Sequence, residues 1–138
     1  MSAYLLDTNV VSELRKPKPH GGVVQWVRSL RDDQLFISVV TLGELQRGVE
    51  RTRRQDAAKA SEIERWVDHL EKSVNVLSMD GSCFREWAKL MERKSGHLFE
   101  DAMIAATARV RGLQVATRNE KDFILFDVAT FNQFQLTP

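Results

Sequence analysis

The sequence predicts an α/β fold, a three-layer α/β/α sandwich built as a single domain over residues 1–138, with a mainly parallel central sheet. Three observations predict it. The chain has 138 residues, which fits one domain with one sizeable core. Short apolar runs of strand length recur along it. Longer amphipathic segments alternate with those runs, the order that sets helices on both faces of a parallel sheet.

The elements follow in order. Residues 3–6 are an apolar run and a first strand. Residues 9–15 read as a helix. "KPKPHGG", residues 16–22, breaks it with two prolines and two glycines. Residues 23–31 are amphipathic through Val23, Trp26, Val27 and Leu30. "LFIS", residues 35–38, is a second strand. Residues 41–54 form a helix with Leu42, Leu45 and Val49 as its stripe, and residues 57–72 another through Ile63, Trp66, Val67 and Leu70. Residues 74–79 are a third strand. Phe84, Trp87, Leu90 and Met91 mark a helix over 84–94. Residues 101–110 are helical, with Gly112 as the stop. Residues 113–117 are a fourth strand, and a weak fifth is expected near 127–130. Crossovers between parallel strands are right-handed. Ligands of such sheets bind beyond the carboxyl ends of the strands.

Composition excludes some classes. The hydrophobic share of 43% and the charged share of 28% are ordinary for a folded domain. A net charge of +1 gives no global attraction to nucleic acid or membrane, so any such binding needs a local patch. The one cysteine, Cys83, allows no internal disulfide. No apolar run approaches the roughly 18 residues of a membrane span, and no secretory leader is legible. The expected location is cytoplasmic, with no membrane partner.

The acidic residues carry the functional signal. Asp7 follows the first strand directly, where it can cap the next helix or serve a site. Glu44 is read into the first turn after the second strand, well off the apolar stripe. Asp101 begins the helix before the fourth strand and shares a face with Ile104, Ala105 and Ala108. A carboxylate heading an apolar, small-residue face needs a cation or donors. Asn119, Glu120 and Asp122 lie in a loop, "TRNEKDF", at the same edge. Like charges gathered there are best tolerated around a cation. Oxygen-only donors suit Mg²⁺ or Mn²⁺. His20, His69, His97 and Cys83 show no zinc-ligand spacing. The phosphate-cradling glycine loops and the serine-nucleophile elbow are absent.

Four blocks resemble PIN-domain ribonucleases, above all the VapC/FitB-like toxins of bacterial toxin–antitoxin pairs. They are "LLDTNVVSEL" (residues 5–14), "SVVTLGELQRGV" (38–49), "EDAMIAATARVRG" (100–112) and "VATRNEKDF" (115–123). They span nearly the whole chain in the family's order. The resemblance implies a metal-dependent endoribonuclease using Mg²⁺, with Mn²⁺ as the alternative, and a 5′-phosphate product. Asp7, Glu44 and Asp101 match the family's metal-binding and catalytic acids, and Thr8 and Asn9 its supporting polar residues. Several relatives carry an aspartate where this chain has Asn119, so Asp122 is the candidate for the missing charge.

The chemistry so implied is phosphodiester hydrolysis by an activated water, with Asp7 and Asp101 holding a metal and Glu44 holding a second ion or acting as base. Arg15, Arg47 and Arg118 are candidate RNA contacts, with Lys16, Lys18 and Lys121 nearby. No aromatic residue is interleaved among them, so no base stacking is expected, and Trp26, Trp66 and Trp87 are assigned to the core. The resemblance also implies a homodimer, possible assembly with a cognate antitoxin into a larger complex, and contact with operator DNA only through the antitoxin. A competing reading keeps the fold as a catalytically silent domain that binds RNA or protein. A haloacid-dehalogenase-like site would need a second aspartate where Asn9 stands, and a receiver-like site an acidic pair that is missing.

Overall fold

The computed structural model describes residues 2–137. Five strands form one sheet: β1 (Tyr4–Leu6), β2 (Leu35–Ser38), β3 (Asn75–Leu77), β4 (Gln114–Ala116) and β5 (Thr130–Phe131). Their order is β3-β2-β1-β4-β5, and every neighbouring pair is parallel. The chain winds one way from β1 through β2 to β3, then crosses back to β4 and β5. Strand β1 therefore marks the switch point, where a crevice opens outside the carboxyl ends of the strands.

Successive side chains on a strand face opposite ways, and both faces are covered. Leu5 and Val115 point to one face, against Ala102, Ile104, Ala105 and Ala108 of α6 (Phe99–Arg111) and against Phe123 and Phe126. Partly buried Trp87 and Leu90 of α5 (Gly81–Met91) pack onto that cluster. Leu6, Ile37 and Ala116 point to the other face, against Val10 and Val11 of α1 (Thr8–Arg15) and Val23 of α2 (Gly21–Ser29). Val49 of α3 (Val39–Arg53) meets Ala60 and Val67 of α4 (Ala57–Ser73) in a smaller cluster. Each fully buried Leu, Ile, Val or Phe stabilises by about 1.5–3 kcal/mol. The tryptophans are half-buried and pack onto these clusters, as expected.

Several boundaries differ from the sequence reading. Helix α3 begins at Val39, because Ser38 accepts the amide of Val40 at 3.0 Å and starts the helix straight off the strand. Glu44 therefore lies in the second turn, not the first. Helix α6 begins at Phe99, so Asp101 is its third residue rather than its head. Gly112 does end α6, at φ +69°, a conformation that glycine adopts without penalty. Gly21 and Gly22 open α2 instead of breaking the chain. A Cβ on Gly22 would stand 2.2 Å from the carbonyl oxygen of Leu136, so the close approach of the C-terminal segment requires glycine there. The loop read at 117–123 contains a short helix, α7 (Glu120–Ile124), anchored by buried Phe123. The fifth strand lies at Thr130–Phe131, slightly later than read.

Candidate active site

Three elements bring the predicted acids to the crevice. Asp7 follows β1 and continues its ladder, its amide donating to the carbonyl of Ala116 at 2.8 Å. Its side chain is only 6% exposed. One oxygen accepts the Thr8 amide at 2.8 Å, so it does cap α1. The other accepts the Thr117 hydroxyl at 2.7 Å. Capping thus occupies one lone pair on one oxygen, and a carboxylate has several.

Glu44 is held by a chain of hydroxyls. The Thr8 hydroxyl donates to Glu44 Oε1 at 2.8 Å, and Thr8 and Thr41 hydroxyls lie 3.0 Å apart. A hydroxyl has one proton. Thr8 gives its proton to Glu44, so the buried Thr41 donates to Thr8. Asp101 arrives differently. The buried alanines of α6 let that helix sit close on the sheet, and since α6 leads into the amino end of β4, its first turn lies at the carboxyl edge.

Asp7, Thr8, Asn9, Glu44, Asp101 and Asn119 line one open cleft of about 460 Å³, together with Ser12, Glu13, Lys16 and Arg118. The volume falls in the roughly 300–1,000 Å³ range of ligand pockets. Its electrostatics are those of crowded carboxylates. Burial raises the carboxyl of Asp7 above its ordinary value, against the hydrogen bonds from Thr117 and Thr8, and the charge of Asp122 adds to the rise. Burial likewise raises Glu44, with Glu100 and Asp7 adding to it. Asp101 is pushed up to about 6 by burial and then by Asp7, Asp122, Glu44 and Glu100.

The other expected residues divide. Asn119 lines the cleft, whereas Asp122 does not; it acts on Asp7 and Asp101 through its charge. Asn9 accepts the backbone amide of Arg118 in a long bond of 3.4 Å. Arg118 reaches the cleft, and its guanidinium carbon lies 3.8 Å from the centroid of the Phe134 ring. The sequence reading did not foresee that aromatic partner. Arg47 is ion-paired to Glu100 at 3.1 Å and borders an adjoining groove with Glu44. Arg15 opens onto a neighbouring groove with Leu45 and Ile63, which shares Thr8, Ser12 and Glu44 with the acidic cleft. Sequence reasoning missed Thr41 and Thr117. Thr41 had a weak signal, a hydroxyl three residues before Glu44, and Thr117 had none that pointed to Asp7. It also missed Glu13, which is buried at the cleft wall and accepts Lys16 Nζ at 2.9 Å and the His20 amide at 2.9 Å.

The donors at the acidic end are all oxygens, which suits a hard divalent ion. Among the described residues, no three of His, Cys, Asp or Glu are gathered tightly enough to hold an ion by themselves. An ion here would complete its shell with water, as Mg²⁺ ordinarily does. The crowding points the same way, because a cation relieves the repulsion that adds to the effect of burial on these carboxyls. The residues present therefore fit the ion that the resemblance implies.

Fold and cleft together define a doubly wound α/β domain with an acidic site at its switch point. The PIN domain family pattern matches residues 4–129, and the chain belongs to that family. It is 34% identical over 138 residues to the toxin FitB of Neisseria gonorrhoeae, covering 93% of this chain and 96% of that one. It is 34% identical over 95 residues to the ribonuclease VapC14 of Mycobacterium tuberculosis, covering 69% and 87%. The crystal structure of FitAcB from Neisseria gonorrhoeae superimposes with a TM-score of 0.80 at 33% identity, over 96% of this chain and 99% of that one. No helix among the described residues is long and apolar enough to cross a membrane.

Proposed function

We propose that this chain is a divalent-metal-dependent endoribonuclease acting as the toxin of a toxin–antitoxin pair. The observation that carries the reading is the meeting of Asp7, Glu44 and Asp101 in one cleft at the switch point. The relatives named as toxin and as ribonuclease support it. Asp7 and Asp101 would hold Mg²⁺ or Mn²⁺, with Glu44 beside them. When bound, such an ion supplies positive charge to the phosphate and lowers the pKa of a coordinated water.

The chain's own groups do the rest. Thr117 and the Thr8 amide fix both oxygens of Asp7. Thr41 and Thr8 hold Glu44 by Oε1, which leaves Oε2 to take a proton from the attacking water. The raised carboxyl of Glu44 brings its proton affinity nearer to that task. Lys16 and Arg118 offer positive charge to a polyanion that would otherwise meet only acids.

A cognate antitoxin is the proposed partner, in a homodimeric or larger assembly that meets operator DNA only through the antitoxin. The test compares wild type with Asp7→Asn and Asp101→Asn on structured RNAs, in Mg²⁺ or Mn²⁺ and with chelator. Cleavage is expected from wild type alone, and only with the metal. Cleavage that survives both substitutions, or that ignores chelation, overturns the metal-nuclease reading, and binding without cleavage by wild type in either metal favours the silent-domain reading. Growth arrest on expression, relieved by a co-expressed neighbouring small protein, tests the toxin role.

A further inference from the structure

The cations around the cleft are not equivalent. Glu13 holds Lys16, and Glu100 holds Arg47. The Arg118 guanidinium makes no hydrogen bond or close ion pair among the described residues, and its charge acts on Glu13 only at longer range. It lies over Phe134 instead, 3.8 Å from the ring centroid. The Arg118 main chain is tied on both sides. Its amide donates to Asn9 Oδ1 at 3.4 Å, and its carbonyl accepts Asn132 Nδ2 at 3.4 Å.

Phe134 is itself fixed. Its amide donates to Asn132 Oδ1 at 2.9 Å, and its ring lies 5.4 Å from that of His20. The turn that carries it leads to Leu136, whose carbonyl fits only against a glycine at position 22. The family pattern ends at residue 129, so Asn132 and Phe134 lie beyond it.

We propose that Arg118, backed by Phe134, is a stacking shelf for one unpaired nucleobase beside the phosphate that is cut. Guanidinium planes stack on bases splayed out of single-stranded loops and ends. A guanidinium packed on a ring cannot readily fold into the acidic cleft and pair with a carboxylate. Every base has a π-face, so the shelf selects an unstacked nucleotide rather than a particular sequence. This inference rests on the ribonuclease reading above.

The test is a cycle between Arg118→Lys and an abasic nucleotide placed in turn at each position flanking the cut, in short single-stranded RNAs. Lysine keeps the charge and loses the plane, so it separates stacking from phosphate attraction. In wild type, one abasic position is expected to lower kcat/KM by about tenfold, within the range of one base–aromatic stack. In Arg118→Lys, that position is expected to cost nothing further, with the salt dependence of binding unchanged. Phe134→Leu, which removes the backing, is expected to behave in the same way. Pairing that nucleotide with a complementary strand is expected to slow wild type by a similar factor. An abasic penalty equal in wild type and Arg118→Lys at every position overturns the shelf while the nuclease stands. Wild type that neither binds nor cleaves any of these RNAs overturns both.

Discussion

Asp101→Asn is expected to make the metal-free protein more stable while abolishing its activity. The Asp101 carboxyl is pushed from 3.8 up to about 6, first by burial and then by four neighbouring acids. A shift of about 2 units is worth about 3 kcal/mol at 1.36 kcal/mol per unit. The residue is half-buried, and solvent screening leaves roughly half of that. The sign follows from linkage. A raised carboxyl contributes stability that is fully present below about pH 3.8 and lost as pH rises through about 6. At pH 7.5 wild type therefore bears the full penalty, and the neutral amide bears none. Asparagine gives up some favourable interaction with the N-terminus of α6, about 0.3–1 kcal/mol. The net gain at pH 7.5 is about 1 kcal/mol, or about 3–5 °C in Tm for a chain of this size. Denaturation of both proteins in chelator from pH 4 to 8 measures it. The gap should shrink through pH 6 and close near pH 4. Saturating Mg²⁺ should reverse the order at pH 7.5, since an ion at 100 times its Kd adds about 2.7 kcal/mol to the form that binds it. A variant no more stable than wild type at pH 7.5, or a gap that widens on acidification, would refute the reasoning.

Two further outcomes follow from single contacts. Thr117→Val removes the buried hydroxyl that donates to Asp7 at 2.7 Å; it should lower kcat about 10–100-fold, as loss of a partner behind a metal ligand typically does, while circular dichroism stays native. Gly22→Ala drives a Cβ to within 2.2 Å of the Leu136 carbonyl; it should destabilise by about 1–3 kcal/mol in urea denaturation, and unchanged stability would mean that the C-terminal segment does not pack there.

The order of strands and helices was legible because apolar runs and stripes are local signals. Val39 and Val40 lay outside the expected helix because β-branched residues after a strand look like more strand, and only the Ser38 cap shows otherwise. Helix α7 is five residues long, too short for periodicity to register; buried Phe123 decides it. The two glycines at 21–22 looked like punctuation because the close approach they serve comes from the far end of the chain. The acids were legible from type and position, and their gathering at one edge from the rule for parallel sheets. The order β3-β2-β1-β4-β5 was not, because it is set by long-range pairing. Thr117 and Asp7 are 110 residues apart, and no local pattern ties that hydroxyl to that carboxylate. Phe134 beneath Arg118 is hidden for the same reason.

The site holds its repulsion because each acid is delivered by a different rigid element. Asp7 is fixed by β1 and by a donor on each oxygen. Glu44 is held on α3 by Thr8, which Thr41 orients in turn. Asp101 is set by an alanine-rich helix that cannot back away without opening voids beside Ile104 and Val115. Swinging Asp7 or Glu44 aside would break a hydrogen bond, at about 1 kcal/mol each, and withdrawing α6 would loosen the core. The packing therefore resists relief by moving apart. Protonation or a bound cation is the relief that remains, and near neutral pH the cation is the one that leaves Asp101 ionised. The packing that gives the domain its stability thus also keeps the acids crowded, which is the repulsion that the proposed ion would relieve.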